Sequence, residues 1–415
     1  MAPGADRSSS CESDSRHRRN CWSEDFVILG ILGGGQLGWM LGIAARRLGI
    51  ECVFLDPAEH CTADLVGDRI RAAYDDAEAL SELARRCDVV TYEFENVPAG
   101  SAARLAEEVD VRPGWKSLET SQDRLVEKSF LTRHGVPVPT FAAVEDLPSL
   151  EAAVADVGLP AVLKTRRGGY DGKGQAVLRH PEDLESGFAS IGERPAILES
   201  MIDFDLEASV LVARGADGAT EAWGPIRNQH ADGILRRSDC PAPGVSSNAA
   251  AAMLEHAERL ARELDHCGVL TVEFFVRGDD VLANEIAPRV HNSGHLTIEH
   301  AETDQFENHV RAVTGLPLGS TAPRHRHAMM LNAIGASPTD SDLSAQGVAT
   351  VDDHGVASKD ADDGDPVYHD YRKKPRPGRK VGHLTAVSRD APDPLADRLT
   401  PVIPGSSTSH PTTSG

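Results

Sequence analysis

Residues 160–179 read PAVLKTRRGGYDGKGQAVLR. Two apolar strands flank a loop in which four of the seven residues from Gly168 to Gly174 are glycine. An ordinary hairpin closes with roughly two to five residues, so a longer loop this rich in glycine has another purpose. Backbone amides clear of side chains, with Lys173 among them, can close over a polyphosphate. Lys164 interrupts the apolar strand just before the loop. The chain has only 8 lysines, and two of them at one hairpin point to a site rather than to a solvent-facing strand.

Downstream, GVLTVEFFV (268–276) and VLANEIAP (281–288) bracket Gly278, Asp279 and Asp280. A turn centred on Asp279 sets Glu273 directly opposite Glu285 on one face. Carboxylates so opposed lie ~5 Å apart and repel. A bridging divalent cation reverses the sign, and oxygen ligands favour Mg²⁺ or Mn²⁺ shared with substrate phosphates. The alternative is a solvated acidic face. On the repulsion argument, neutralising either glutamate raises the melting temperature of the ligand-free protein. The next residues, 287–295, carry Arg289, His291, Asn292 and Ser293 between a proline and a glycine, with His295 directly after the glycine. That set suits a small oxyanion.

Upstream, FVILGIL (26–32), GGGQLG (33–38) and WMLGIAARRLG (39–49) read as strand, turn and helix. IECVFLD (50–56) and CDVVTYEF (87–94) are further strands, and the alternation predicts a parallel sheet covered by helices. Gly33, Gly35 and Gly38 with Asp56 also satisfy a dinucleotide-binding fingerprint, which keeps a dehydrogenase open. Pro113-Gly114 marks a boundary. A helix is expected from Ser121 to His134, strands over 194–200 and 207–214, and a helix over 247–265. From about Thr321 a smaller module follows. Its loop 372–380 holds six cations in nine residues, broken by prolines and glycine. It reads either as a nucleic-acid or nuclear-localisation tract or as an anchor for a compact anion such as a sugar phosphate.

Composition narrows these options. The chain has 415 residues, 40% hydrophobic and 26% charged, with 64 acidic against 42 basic residues and a net charge of −22. That argues against a nucleic-acid coat or an anionic-membrane binder. An acidic, lysine-poor surface suits a salt-rich cytoplasm, with genomic bias as the plainer explanation. Seven cysteines (11, 21, 52, 61, 87, 240 and 267) form no CxxC pair, as expected of a reducing compartment. No apolar run reaches the ~18 residues of a membrane span. Residues 1–24 read as a disordered extension rather than a secretory signal, because Ser23-Glu24-Asp25 separates the Arg16–Arg19 cluster from the apolar run. The chain ends in the low-complexity stretch SSTSHPTTSG (406–415).

Taken together, GILGGGQLG (30–38), TYEFENVP (91–98), RRGGYDGKGQ (166–175), HADGIL (230–235), NEIAPRVHNSGH (284–295) and RPGRKVGHL (376–384) resemble, in order, the motifs of the 5-(carboxyamino)imidazole ribonucleotide synthases, a family of the ATP-grasp superfamily. The resemblance covers about residues 26–388. It implies a Rossmann-like α/β domain at 25–118, an ATP-grasp domain at 119–318 and a small C-terminal domain at 319–390, followed by a tail at 391–415. It implies ATP, bicarbonate and 5-aminoimidazole ribonucleotide as substrates of a cytoplasmic homodimeric ligase of purine biosynthesis, with no nucleic-acid or membrane partner. Carried over by position, Arg124, Lys164, Gly169, Tyr170, Asp171, Gly172, Lys173, Gly174, Gln175, Glu199, Ser200, Met201, Ile202, Glu207, His230, Asn284 and Glu285 contact ATP. Glu273 and Glu285 hold Mg²⁺ or Mn²⁺. Gly35, Gln36, Leu37, Glu93, Asn292, Ser293, Lys373, Arg379 and Lys380 bind the ribonucleotide. Asp171, Arg289, His291 and Lys373 carry the chemistry, with Arg289 and His291 at the bicarbonate. Trp39 stands where the family pattern has arginine. Another ATP-grasp ligase remains the alternative, because the ATP half of the motif set is the more widely shared.

Overall fold

In the computed structural model, residues 27–169, 172–357 and 365–389 are described, together with Leu399 and Val402. The expected extension at 1–24 lies outside them, as do Tyr170 and Asp171, and so does the expected tail at 391–415 apart from Leu399 and Val402. The N-terminal unit is the expected parallel sheet, ordered β3-β2-β1-β4-β5. Its strands are β1 (Ile28–Leu32), β2 (Glu51–Leu55), β3 (Asp68–Ile70), β4 (Val89–Tyr92) and β5 (Asp110–Val111). Helices α1 (Gln36–Arg47), α2 (Ala77–Arg86) and α3 (Ala99–Leu105) connect them. Near-continuous apolar strands give a core on both faces, with Leu29, Ile31 and Phe54 on one side and Val53, Leu80 and Tyr92 on the other.

The helix expected over Ser121–His134 is two helices, α4 (Trp115–Gln122) and α5 (Arg124–Arg133). Asp123 makes the break. Its extended backbone cannot continue α4, and its carboxylate accepts the Leu125 and Val126 N–H groups that open α5. Next comes a four-stranded antiparallel sheet, β6-β9-β7-β8. It comprises β6 (Phe141–Val144), β7 (Ala161–Thr165), β8 (Gln175–Leu178) and β9 (Ala196–Ser200), backed by α6 (Leu147–Val157) and α7 (Asp183–Ser190).

The remaining strands are β10 (Leu206–Arg214), β11 (Thr220–Ala231), β12 (Ile234–Cys240), β13 (Gly268–Arg277), β14 (Asp280–Ala287), β15 (His327–Ile334), β16 (Ala349–Thr350), β17 (Val367–Asp370) and β18 (Lys380–Ser388). They form one nine-stranded sheet, β14-β13-β10-β11-β12-β15-β18-β17-β16. Helix α8 (Ser247–Glu263) covers β10 and β13. The C-terminal strands thus extend the central sheet through β12 and β15, where Arg237 pairs with Leu331 and Cys240 with Ala328.

The β13–β14 hairpin differs from expectation in one instructive way. Its turn is the two residues Gly278-Asp279, with Arg277 opposite Asp280 and Phe274 opposite Ala283. Continued evenly, that register sets Glu273 against Asn284. A β-bulge at Asn284 shifts it by one, and Glu273 faces Glu285 after all.

Candidate active site

A cleft of about 480 Å³ separates the four-stranded sheet from the nine-stranded one. It draws lining from all three parts of the chain: Gln36 and Leu37 at the start of α1, Lys164 and Gln175 on β7 and β8, Glu273 and Glu285 on β13 and β14, and Lys380 on β18. Arg124, Gly169, Gly172, Lys173, Glu207, His230, Asn284, Arg289, His291 and Asn292 also line it.

The strand pairing places Lys164 on the cleft face of β7, where its ammonium donates to Glu199 Oε2 at 2.8 Å. Glu199 itself is buried beneath it. His230 Nδ1 lies 2.8 Å from Glu207 Oε2 across β10 and β11. Burial pulls the His230 pKa down, but the Glu207 contact outweighs it and raises the value. The glycine loop adopts left-handed backbone at Gly168, Gly172 and Gly174. A Cβ on Gly174 would meet Thr165 Oγ1 at 2.7 Å, so two independent constraints demand glycine there. Gly172 packs against the Asp232-Gly233 turn of the β11–β12 hairpin, whose two positive φ angles are those of a tight two-residue hairpin. Ser200, Met201 and Ile202 leave the end of β9 outside the lining, with Ser200 and Met201 donating their N–H groups to Thr140 and Pro160 carbonyls.

The two opposed glutamates do not face each other bare. Glu273 Oε1 lies 3.0 Å from His291 Nε2, and Glu285 Oε2 accepts from Arg124 at 2.8 Å. Burial raises both carboxyl pKa values, but the His291 hydrogen bond at Glu273 and the Arg124 guanidinium at Glu285 more than offset it and hold both ionised. The repulsion expected from sequence is therefore already compensated in the ligand-free protein. Two hard oxygen donors side by side, in a cleft that also holds Lys164 and Arg124, fit Mg²⁺ or Mn²⁺, ions that commonly complete their shells from phosphate and water. Among the described residues no group of three or more acidic, His or Cys side chains offers a full cage.

Beyond β14 the chain carries Arg289 and His291 into the same cleft. Arg289 donates to Glu95 and to the Val290 carbonyl. Burial lowers the Arg289 pKa, but Glu95 outweighs it and keeps the guanidinium charged. Gln305, at the first turn of the helix Gln305–Thr314, holds the backbone of His291 at both ends: its Oε1 accepts the His291 N–H and its Nε2 donates to the His291 carbonyl, each at 2.8 Å. Ser293 is fully buried and does not line the cleft. Its hydroxyl bonds to Ser209 and to His291 Nδ1, so it orients the ring from behind.

The glycine turn of the N-terminal unit serves no dinucleotide. Glu93 accepts the Gly35 and Gly38 N–H groups at 2.7 and 3.0 Å, and Asp56 accepts the Gly34 N–H and the Tyr74 hydroxyl, both at 2.8 Å. The amides that would hold a pyrophosphate are occupied by the protein's own carboxylates, as is the acid that would read a ribose. Lys373 donates to Gln36 at the rim of the turn. Arg379 is half-buried, bonds to the Lys374 carbonyl and lies outside the cleft lining, whereas Lys380 is within it. Trp39 is buried away from the cleft, its indole donating to the Asp353 carbonyl. Sequence reasoning passed over Glu95, Gln305, Glu127 and Lys128. For Glu95 a signal existed, since it stands two residues beyond Glu93 in TYEFENVP; the others look like ordinary helix charges and amides.

A polyphosphate-sized cleft between a four-stranded antiparallel sheet and the larger central sheet, a glycine-rich loop over it and paired acids on adjacent strands define an ATP-grasp protein. The family profiles agree: residues 26–122 match the ribonucleotide synthetase preATP-grasp domain, 129–306 the ATP-grasp domain and 328–396 the phosphoribosylaminoimidazole carboxylase C-terminal domain. The N5-carboxyaminoimidazole ribonucleotide synthase of Pseudomonas aeruginosa is 48% identical over 358 residues, 86% of this chain and 93% of that protein. The crystal structure of the Thermus thermophilus synthetase superposes with a TM-score of 0.82 at 43% identity, covering 92% of this chain and 99% of its own. An Aspergillus clavatus synthase in complex with ADP and 5-aminoimidazole ribonucleotide gives 0.80 at 28% identity, covering 91% and 97%. The chain belongs to the N5-carboxyaminoimidazole ribonucleotide synthase family.

Proposed function

We infer that the chain is the ATP-dependent ligase that carboxylates 5-aminoimidazole ribonucleotide to its 5-carboxyamino derivative in purine biosynthesis, with bicarbonate as the carbon source. One observation carries the reading. A single cleft joins Lys164 and the glycine loop to the Glu273–Glu285 pair, Arg289, His291 and Lys380. Hydroxide is a poor leaving group, so bicarbonate is a weak electrophile. Attack of a bicarbonate oxygen on the γ-phosphorus releases ADP and forms carboxyphosphate. The amine then takes up the carboxyl carbon, directly or as CO₂, loses a proton, and phosphate departs. Arg289 and His291 hold the anion, and the loop at 168–174 keeps water out. Glu273 and Glu285 would hold Mg²⁺ or Mn²⁺, which would neutralise phosphate charge. No described helix is long and apolar enough to cross a membrane. Family resemblance supports a homodimer.

The chemistry is tested with isotope. Oxygen-18 supplied in bicarbonate is expected in the released phosphate, because the attacking oxygen stays on phosphorus. Label-free phosphate would remove bicarbonate phosphorylation from the mechanism.

Lys373 supplies a pH test. Burial lowers its pKa to about 8, with Arg379 and Lys380 pushing the same way and Glu93 opposing. Its charge is present below that value and lost above it. If it holds the ribonucleotide's anion, kcat/KM for the ribonucleotide falls as pH rises through about 8, since that ratio reports free-enzyme groups. Lys373→Arg, which stays charged, is expected to abolish this inflection. The same inflection in wild type and variant would take Lys373 out of substrate binding.

A further inference from the structure

The bulge at Asn284 breaks the alternation of β14. Ala283 is buried in the core and off the cleft, yet the next two residues, Asn284 and Glu285, both line it, followed by Ile286, which is buried in the core with an edge on the cleft. An unbulged strand turns only one of two neighbours to a given face. The bulge also takes backbone groups out of the ladder, and buried backbone groups need partners.

Helix α5 supplies them. Lys128, fully buried, donates its ammonium to the carbonyls of Ala283 at 3.2 Å and Asn284 at 2.5 Å. Its neighbour Glu127, also buried, accepts the Ile286 N–H at 2.6 Å. Consecutive residues of one helix thus bind the backbone on both sides of the bulge. Lys128 Nζ lies 3.7 Å from Glu199 and is absent from the cleft lining.

We propose that Lys128, assisted by Glu127, is a positioning residue that clamps the Asn284 bulge and thereby aims Asn284 and Glu285 together into the cleft. This rests on reading Glu285 as a metal ligand. Partners that orient a ligand from behind contribute about 10- to 100-fold in metal affinity.

The test uses Lys128→Met, which keeps the length and removes the donor, in the full chain. Mn²⁺ binding is measured by electron paramagnetic resonance in the presence of ADP, and ADP binding by calorimetry without metal. Mn²⁺ affinity is expected to fall at least about tenfold and ADP affinity to change little. Glu285→Gln runs in parallel. If Glu285→Gln binds Mn²⁺ as wild type does, the metal reading itself fails. If Glu285→Gln loses Mn²⁺ while folded Lys128→Met retains it, or loses ADP equally, the clamp is overturned. Should Lys128→Met not fold, Asn284 is deleted in the same chain. Without the bulge the carbonyls rejoin the ladder and Lys128 is not needed, so the double variant is expected to fold. Failure to recover would overturn the clamp as well.

Discussion

Glu285→Gln, and separately Glu273→Gln, is expected to lower ATP-dependent phosphate release by about a thousandfold. The figure follows from several kcal/mol of charge stabilisation at the phosphates, at about 1.4 kcal/mol per tenfold. The fold should survive, because both side chains open on the cleft rather than the core. The effect on the ligand-free protein has a definite sign. Arg124 pairs with Glu285 and His291 hydrogen-bonds to Glu273, so removing one carboxylate charge leaves its partner short instead of relieving repulsion. Melting temperature without nucleotide should stay level or fall, most clearly for Glu285→Gln, where a guanidinium is stranded. Phosphate release and a thermal melt check both parts. Near-normal turnover at ordinary Mg²⁺ would remove the metal assignment, and a raised melting temperature would mean the carboxylates repel despite their partners.

The second large effect is at Arg289. Its planar group donates at once to Glu95 and to the Val290 carbonyl while facing the cleft. Lysine keeps the charge but not the fork. Arg289→Lys is therefore expected to cut bicarbonate-dependent turnover by about 10²- to 10³-fold, the usual cost of losing one oriented donor at a developing oxyanion. ADP affinity, measured by calorimetry, should remain within about twofold if, as proposed, the nucleotide is held on the side of the cleft lined by β7, β8 and the glycine loop. Equal loss of ADP binding and turnover would move Arg289 from the bicarbonate pocket to the nucleotide.

Much of this site was readable from residue types and spacing. The glutamate pair was placed correctly, although by a turn centre that the structure does not have: the two-residue turn and the one-residue bulge offset each other. Periodicity cannot reveal a bulge, since it depends on what the opposite face can satisfy. Likewise Lys128 and Glu127 look like solvated helix charges until α5 is laid against β14. Asp123 was legible in principle, as an N-cap residue ahead of an apolar helix, yet the continuing helical pattern masked it. Gly33, Gly35 and Gly38 left a dinucleotide-binding turn open because nothing local says that Glu93, more than fifty residues away, takes two of the amides.

The nine-stranded sheet has a mechanical consequence. Hydrogen-bonded pairing runs without interruption from β14 to β16, so the acid pair and the basic C-terminal strand ride on one plank. They cannot part without breaking ladder bonds between β12 and β15. The four-stranded sheet β6–β9 shares no ladder with that plank: the chain joins the two through the segments 134–140 and 201–205, and side chains such as Lys164, which reaches Asn284, bridge the cleft. Any widening of the cleft must therefore come from β6–β9 moving against the plank, while Glu273, Glu285 and Lys380 keep their mutual spacing.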